Sequence, residues 1–189
     1  LNNVSFRYTD NDGDVIHNVS MKLNPKEKIA LVGYNGAGKT TLIKLIMRLY
    51  DATDGEILMD GINIRDIDLE FYRSEIGYVQ QEPMMFHDSI YKNISYGSEN
   101  AQVEEVIHAA EVANAHEFIR RLPDGYDTML TDGGGNLSQG QRQMISIARA
   151  ILANPSVLIL DEATSSVDTR TEVKIQEAMH NLMKGRTNF

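Results

Sequence analysis

The residues with the clearest chemical potential form the glycine-rich segment Gly33-Tyr34-Asn35-Gly36-Ala37-Gly38-Lys39-Thr40. It fits the pattern G-x-x-x-x-G-K-[ST], in which glycines let successive backbone N–H groups point inward at phosphate oxygens. Lys39 can then reach the outer phosphates, and the Thr40 hydroxyl can ligate Mg²⁺. The alternative is a chance glycine-rich turn. We favour phosphate binding, because the segment lies between a predicted strand and a predicted helix, as this pattern requires.

Two adjacent carboxylates, Asp161 and Glu162, follow a short run of branched apolar residues at 157–160. Neighbouring strand residues point to opposite sides, so the two acids can serve separate purposes. One can hold Mg²⁺ through water, and the other can orient or deprotonate an attacking water. The alternative is a pair of solvated acids that caps the next helix. The phosphate loop favours the first interpretation, because phosphoryl transfer needs a second Mg²⁺ anchor.

A third segment, Leu137-Ser138-Gln139-Gly140-Gln141, opens a predicted helix. Ser138 followed three residues later by Gln141 fits a capping box. Gly140 and the glycine run at 133–135 indicate a backbone without side chains, which a ligand or another segment can approach closely. A capped helix start with free N–H groups also binds anions, so the capping and binding interpretations are compatible.

Apolar runs alternate with helical periodicity along the chain, which predicts an α/β scaffold for these segments. Strands are predicted at residues 4–8, 28–32, 76–80 and 157–160, the second and fourth of them buried. Helices are predicted after the glycine-rich loop, near residues 103–110, at 144–152 and near 175–182, the last ending at Gly185. Residues from about 82 to 136 have little strand character, which favours a helical subdomain there.

Bulk composition narrows the possible functions. The chain has 189 residues, 42% of them hydrophobic, so we expect one compact domain. A net charge of −9 argues against a protein that coats nucleic acid, and we expect no nucleic-acid partner. The absence of cysteine excludes disulfides, cysteine-ligated zinc and thiol nucleophiles. We find no membrane-spanning run and expect no signal peptide.

In their order and spacing, these segments resemble the nucleotide-binding domain of ABC ATPases over essentially the whole chain. Residues 33–40 resemble the Walker A loop, and residues 157–161 resemble Walker B. Residues 137–141 resemble the LSGGQ signature, with Gln139 in place of its first glycine. The resemblance implies an α/β fold: a P-loop NTPase core with a mostly parallel sheet, an N-terminal antiparallel β subdomain and an inserted α-helical signature subdomain. The implied core covers residues 1–81 and 155–189, and the helical subdomain about 82–154.

The same resemblance suggests roles for further residues. Glu162 matches the catalytic glutamate, and Gln81 matches the Q-loop glutamine, with Gln80 as a near alternative. Tyr8 resembles the aromatic residue that stacks on adenine, although it could be an ordinary strand aromatic. Residues 165–168 resemble the D-loop, where Asp168 is equally suited to cap a helix.

The implied cofactors are ATP and Mg²⁺. Catalysis would involve Lys39, Gln81 and Glu162, and Mg²⁺ would be held by Thr40, Gln81 and Asp161. The implied ATP contacts are Tyr8, Gly33, Asn35, Gly36, Ala37, Gly38, Lys39, Thr40, Thr41, Ser138, Gly140, Gln141 and Asp168. The family's γ-phosphate histidine lies beyond Phe189, so we expect this chain to bind ATP and hydrolyse it weakly.

The resemblance also implies partners and a location. Two such domains would pair head to tail around ATP at the cytoplasmic face of a membrane. They would be coupled to transmembrane domains of the same transporter, on the same polypeptide.

The run at 86–94 and the loop at 131–134 resemble exporter-type domains. Met84, Met85 and Phe86 could receive a membrane-domain helix or pack inside. The alternatives are an importer's ATPase subunit and a soluble ABC ATPase, whose coiled-coil insertion or basic arms we do not find.

Overall fold

The computed structural model describes residues 1–9, 13–98, 100–161 and 168–189. The chain divides into two compact units. Unit 1 comprises Leu1–Ile76 together with Thr187–Phe189, and unit 2 comprises Gly77–Arg186. Each unit has buried apolar residues of its own.

A three-stranded antiparallel sheet begins unit 1. Strand β1 (Asn2–Phe6) lies between β2 (Ile16–Val19) and β3 (Asp54–Glu56). Alternate side chains of β1, Val4 and Phe6, are buried, which is the period of two expected when one face of a sheet is covered. The strand predicted at 4–8 is therefore formed in part, beginning earlier and ending at Phe6.

Two helices and a hairpin also belong to unit 1. Helix α1 (Lys39–Ile46) follows the glycine-rich loop as predicted. Strands β4 (Leu58–Met59) and β5 (Ile62–Asn63) form a hairpin whose two-residue turn, Asp60-Gly61, has positive φ at both positions, as a type I′ turn requires. Helix α2 (Leu69–Ser74) is capped by Asp68, whose carboxylate accepts from the Phe71 N–H at 2.9 Å.

The buried strand predicted at residues 28–32 is wrong. Only Lys28 forms a bridge, in parallel with Asn188 of the short strand β8 (Thr187–Asn188). The Ile29 N–H donates to the Asn188 carbonyl at 2.9 Å, and Val32 is 92% exposed. Backbone pairing between two strands extends only as far as the shorter strand, and β8 has two residues. The apolar pattern of residues 28–32 could not by itself produce a longer strand.

Unit 2 is built around helix α6 (Gln139–Ala153), which packs against α3 (Ile90–Ser95), α4 (Val103–Val112) and α7 (Thr169–Met183). The structure confirms the helices predicted near 103–110, 144–152 and 175–182, and the strands β6 (Ile76–Val79) and β7 (Val157–Leu160). Helix α5 (His116–Ile119) and single 3₁₀ turns at Gly125–Asp127 and Asp132–Gly134 connect the helices. The low strand content predicted for residues 82–136 holds for the described part of that segment.

Buried aliphatic residues of α4, α6, α7, β6 and β7 form the core of unit 2. Gly185, with a φ of 75°, follows the last helix and takes the left-handed conformation that ends a helix there. Among the described residues, no helix is both long enough and apolar enough to cross a membrane.

Candidate nucleotide-binding site

The glycine-rich loop of unit 1 has a backbone that its glycines make possible. Gly36 and Gly38 have φ values of 81° and 85°, in the left-handed region that favours glycine. A Cβ at position 38 would lie 2.8 Å from the Ile16 Cδ1 and 3.0 Å from the Val15 carbonyl oxygen. Position 38 therefore requires glycine both for its φ and because β2 packs directly against it.

Lys39 is the first residue of α1, and its ammonium folds back over the loop. The Lys39 Nζ donates to the carbonyl oxygens of Gly33 at 2.6 Å and Tyr34 at 3.0 Å. Residues 33–37 and Thr40 are exposed, so the loop and the free N–H end of the helix face solvent. Two glycines with positive φ, a helix N-terminus and a lysine ammonium together fit a phosphate group.

Tyr8 lies beyond the end of β1 and is 44% exposed. Its ring packs edge-on against Phe6 and Tyr50, with centroids 5.0 Å and 5.4 Å away. The Tyr8 hydroxyl lies 3.0 Å from the Thr41 Oγ1, on the second residue after Lys39. The structure therefore links Tyr8 to α1, the helix that follows the glycine-rich loop. A role in stacking on adenine stays a prediction.

In unit 2 the carboxyl ends of β6 and β7 lie side by side, because the Asp161 N–H donates to the Val79 carbonyl at 3.0 Å. Asp161 follows β7 and is half-buried, and Gln81 lies two residues beyond β6. Ligands of α/β proteins bind at this end of parallel strands. The arrangement brings the predicted Q-loop and the predicted Walker B carboxylate to the same edge of unit 2.

Tyr78 is a contact of Asp161 that the sequence analysis missed. Its hydroxyl donates to the Asp161 Oδ2 at 3.2 Å. Burial, together with the neighbouring Asp161 carboxylate, raises the pKa of Tyr78, so the phenol keeps the proton that it donates. The two residues are 83 positions apart in sequence, so no local pattern could have predicted the contact.

The capping box predicted at Ser138 is confirmed. The Ser138 Oγ accepts from the Gln141 N–H at 3.2 Å, and the Gln141 Oε1 accepts from the Ser138 N–H at 2.9 Å. Gly140 is buried on the first turn of α6. Ser138 itself is exposed, so a capped and accessible helix start is present, and its binding of phosphate from a partner domain stays a prediction.

Asp168 caps α7, as one of its two predicted roles requires. Its carboxylate accepts from the Thr171 N–H at 3.1 Å. Hydrogen bonds from Thr171 hold the pKa of Asp168 below its usual value. Glu162 and residues 165–167 of the predicted D-loop lie outside the described residues.

Thr40 in unit 1 and Asp161 in unit 2 each carry an oxygen of the kind that Mg²⁺ prefers, and their predicted role as Mg²⁺ ligands stays a prediction. Among the described residues, no three His, Asp or Glu side chains form a ready-made metal cluster.

The three apolar residues at 84–86 differ in their burial. Met85 is buried, whereas Met84 is 63% and Phe86 38% exposed. The Phe86 ring lies 4.3 Å from that of Tyr96, and the Arg149 guanidinium lies over it at 5.3 Å. Inside packing therefore holds for Met85, and docking of a membrane-domain helix on Met84 and Phe86 stays a prediction.

Comparisons with known proteins identify the family. The model of the ABC transporter family matches residues 16–165, which is most of the chain. This chain belongs to the ABC transporter family. Its fold is that of the P-loop nucleotide-binding domain, because a bacterial Atm1-family ABC exporter solved with ATP bound superposes with a TM-score of 0.91 at 41% identity. That match covers 99% of this chain and 32% of the exporter chain.

Relatives with known names are exporter-type ABC proteins. An ATP-dependent lipid A-core flippase of Syntrophus aciditrophicus is 51% identical over 100% of this chain and 31% of its own length. A Bacillus subtilis protein named for multidrug export as an ATP-binding/permease protein is 50% identical over 99% of this chain and 32% of its own length. The chain therefore spans about a third of the length of these two relatives.

Proposed function

We propose that this ABC domain binds and hydrolyses MgATP as the motor of a larger exporter. In that protein, ATP would draw two such domains together head to tail, and hydrolysis would release them. The resulting cycle would change the conformation of membrane segments carried on the same polypeptide. The domain would lie at the cytoplasmic face of the membrane.

The observation that carries the proposal is the loop in front of α1. Its glycines hold left-handed φ values, β2 excludes a side chain at Gly38, and Lys39 places a cation at the helix N-terminus. This combination supports phosphate binding, because a glycine-rich loop, a helix N-terminus and a lysine ammonium all favour a bound anion. The exporter relatives support the transport role, since the chain matches them over its whole length.

Each residue would contribute a separate part of the chemistry. Lys39 would exchange its bonds to the Gly33 and Tyr34 carbonyls for bonds to the outer phosphates, and so balance their charge. Thr40 and Asp161 would hold Mg²⁺, which neutralises charge that develops on the phosphates. Gln81 and Glu162 would orient the attacking water, and Glu162 would accept its proton.

The test separates binding from turnover in the complete protein. Lys39→Ala should abolish MgATP binding, because the loop loses its only cation. Glu162→Gln should keep binding, stop turnover and trap the paired domains, because an amide cannot accept the proton. Lys44→Ala is the matched control, since it removes a partly exposed lysine from the same helix outside the loop.

Binding by equilibrium titration and steady-state phosphate release would be measured for all four proteins. Tight MgATP binding by Lys39→Ala, or normal turnover by Glu162→Gln, would overturn these assignments. Failure of the folded wild-type protein to bind ATP would overturn the proposed function itself.

A further inference from the structure

Gln143 is a polar side chain in the apolar core of unit 2. It lies on the second turn of α6, five residues after Ser138, and is only 1% exposed. Its amide Nε2 donates to the Gln80 main-chain carbonyl at 3.4 Å. Within the described part of the chain, its Oε1 is buried without a hydrogen-bond partner. The neighbouring core positions on α6, Met144, Ile145 and Ile147, are all apolar.

Keeping this glutamine is costly for the fold. A buried polar atom without a partner costs about 1–3 kcal/mol, and one long hydrogen bond returns less than that. A methionine would fill a similar volume with no unpaired atom. Residues that break a local rule of stability in this way are expected at functional positions.

Arg149, farther along α6, holds the same stretch of chain at its other end. Its Nη1 donates to the Met84 carbonyl at 3.2 Å, and its Nε donates to the Asn93 carbonyl at 2.7 Å. Asn93 is fully buried, and its side-chain amide bonds both backbone groups of Phe86. The Asn93 Oδ1 accepts from the Phe86 N–H at 2.9 Å, and the Asn93 Nδ2 donates to the Phe86 carbonyl at 3.0 Å. Burial lowers the pKa of Arg149, in keeping with a guanidinium enclosed by these carbonyls.

We infer that Gln143 is a positioning residue for Gln81. Gln143 fixes the carbonyl of Gln80, the residue immediately before Gln81, while Arg149 fixes Met84 three residues after it. Both donors stand on α6, the helix that begins at Ser138. The backbone that carries Gln81 is therefore hydrogen-bonded at two points to α6. These two bonds fix the position of the Gln81 backbone along that helix.

This inference rests on the proposed function, because Gln81 matters only if the domain hydrolyses ATP. Among the described residues, the Gln143 side chain has one hydrogen bond, to the Gln80 carbonyl, so its effect must pass through the Gln80–Gln81 backbone. Loss of its amide should leave nucleotide affinity intact and disturb only the step in which Gln81 orients water. A structural role would instead show as lost stability.

The decisive experiment compares three variants of the complete protein with wild type. Gln143→Met removes both the bond to Gln80 and the unpaired oxygen. Gln81→Ala removes the group that Gln143 is inferred to position, and the double variant combines the two. Ser146→Ala is the matched control, because Ser146 is another buried polar residue of α6 and makes no contact described here with residues 80–84. The measurements are kcat and KM for MgATP and the thermal unfolding midpoint.

We expect Gln143→Met to lower kcat roughly three- to tenfold, the effect of one lost hydrogen bond, with KM unchanged. Its unfolding midpoint should equal or exceed that of wild type. In the Gln81→Ala background the same change should have no further effect on kcat, because a positioning residue acts only through its target. Ser146→Ala should stay within about twofold of wild-type kcat, since it removes one small hydroxyl at a site with no described contact to residues 80–84.

Wild-type kcat in a folded Gln143→Met protein would overturn the inference, and so would a fall in kcat that accompanies a fall in the unfolding midpoint. Additive losses in the double variant would show that Gln143 does not act through Gln81. If instead wild type and Ser146→Ala fail to hydrolyse MgATP at all, the proposed function fails, and these outcomes are distinguishable because each is measured against the same control.

Discussion

Replacing Gly97 by alanine should force α3 away from α6. Gly97 follows the end of α3, and a Cβ at this position would lie 2.3 Å from the Arg149 carbonyl oxygen and 3.1 Å from the Ala153 backbone nitrogen. Both obstacles are backbone atoms of a helix, so no change of rotamer can relieve them. The α3 end must move by about 1 Å to restore an ordinary carbon–oxygen contact.

The size of the effect follows from that displacement. An added methyl group in a well-packed core costs about 1–3 kcal/mol. We place Gly97→Ala at the upper end, about 3 kcal/mol, because separation of α3 and α6 also stretches the 2.7 Å bond from Arg149 to Asn93. For a domain of this size, that loss lowers the unfolding midpoint by about 6–12 °C.

Gly135→Ala is the matched control for this prediction. Gly135 has a φ of −60°, which alanine adopts freely, and its nearest obstacle is the Thr131 Oγ1 at 3.3 Å. That change should shift the midpoint little. The chain has no tryptophan, so unfolding is best followed by far-ultraviolet circular dichroism. A midpoint for Gly97→Ala within about 1 °C of wild type would refute the packing argument, since it would correspond to well under 1 kcal/mol.

Two further predictions concern Asp168 and Tyr8. Hydrogen bonds from Thr171 hold the pKa of Asp168 low, so its cap stabilises α7 above the ordinary carboxyl pKa and is lost as pH falls through the lowered value. Asp168→Ala should therefore lower the unfolding midpoint at neutral pH but not in acid, and an equal loss at both would contradict the cap. If Tyr8 stacks on adenine, Tyr8→Ala should weaken MgATP binding about tenfold, since one base–ring stack contributes about 1–3 kcal/mol. Tyr8→Phe keeps the ring and loses only the contact with Thr41, so a loss as large as that of alanine would assign the effect to the hydroxyl.

Features governed by neighbours in sequence were predictable. The helix after the glycine-rich loop, the capping box at Ser138 and the strand before Asp161 all follow from residues within a few positions of one another. Capping bonds join a side chain to an N–H three residues away, so sequence spacing alone specifies them. Residues 28–32 show the limit of such patterns, because a strand also needs a neighbouring strand to pair with along its length, and here only Lys28 has one.

The tertiary structure decided which distant groups share a contact. It placed Tyr78 against Asp161, the Gln143 amide against Gln80, and Gly97 against α6. None of these contacts lies within one helical turn, so hydrophobic period and capping rules carry no information about them. The sequence by itself determined where a glycine-rich loop before a helix and a capped helix start would form. Only the packing of helices and strands determined that the Tyr78 hydroxyl would bond Asp161 and the Gln143 amide would bond Gln80. Such contacts depend on how elements distant in sequence meet in space.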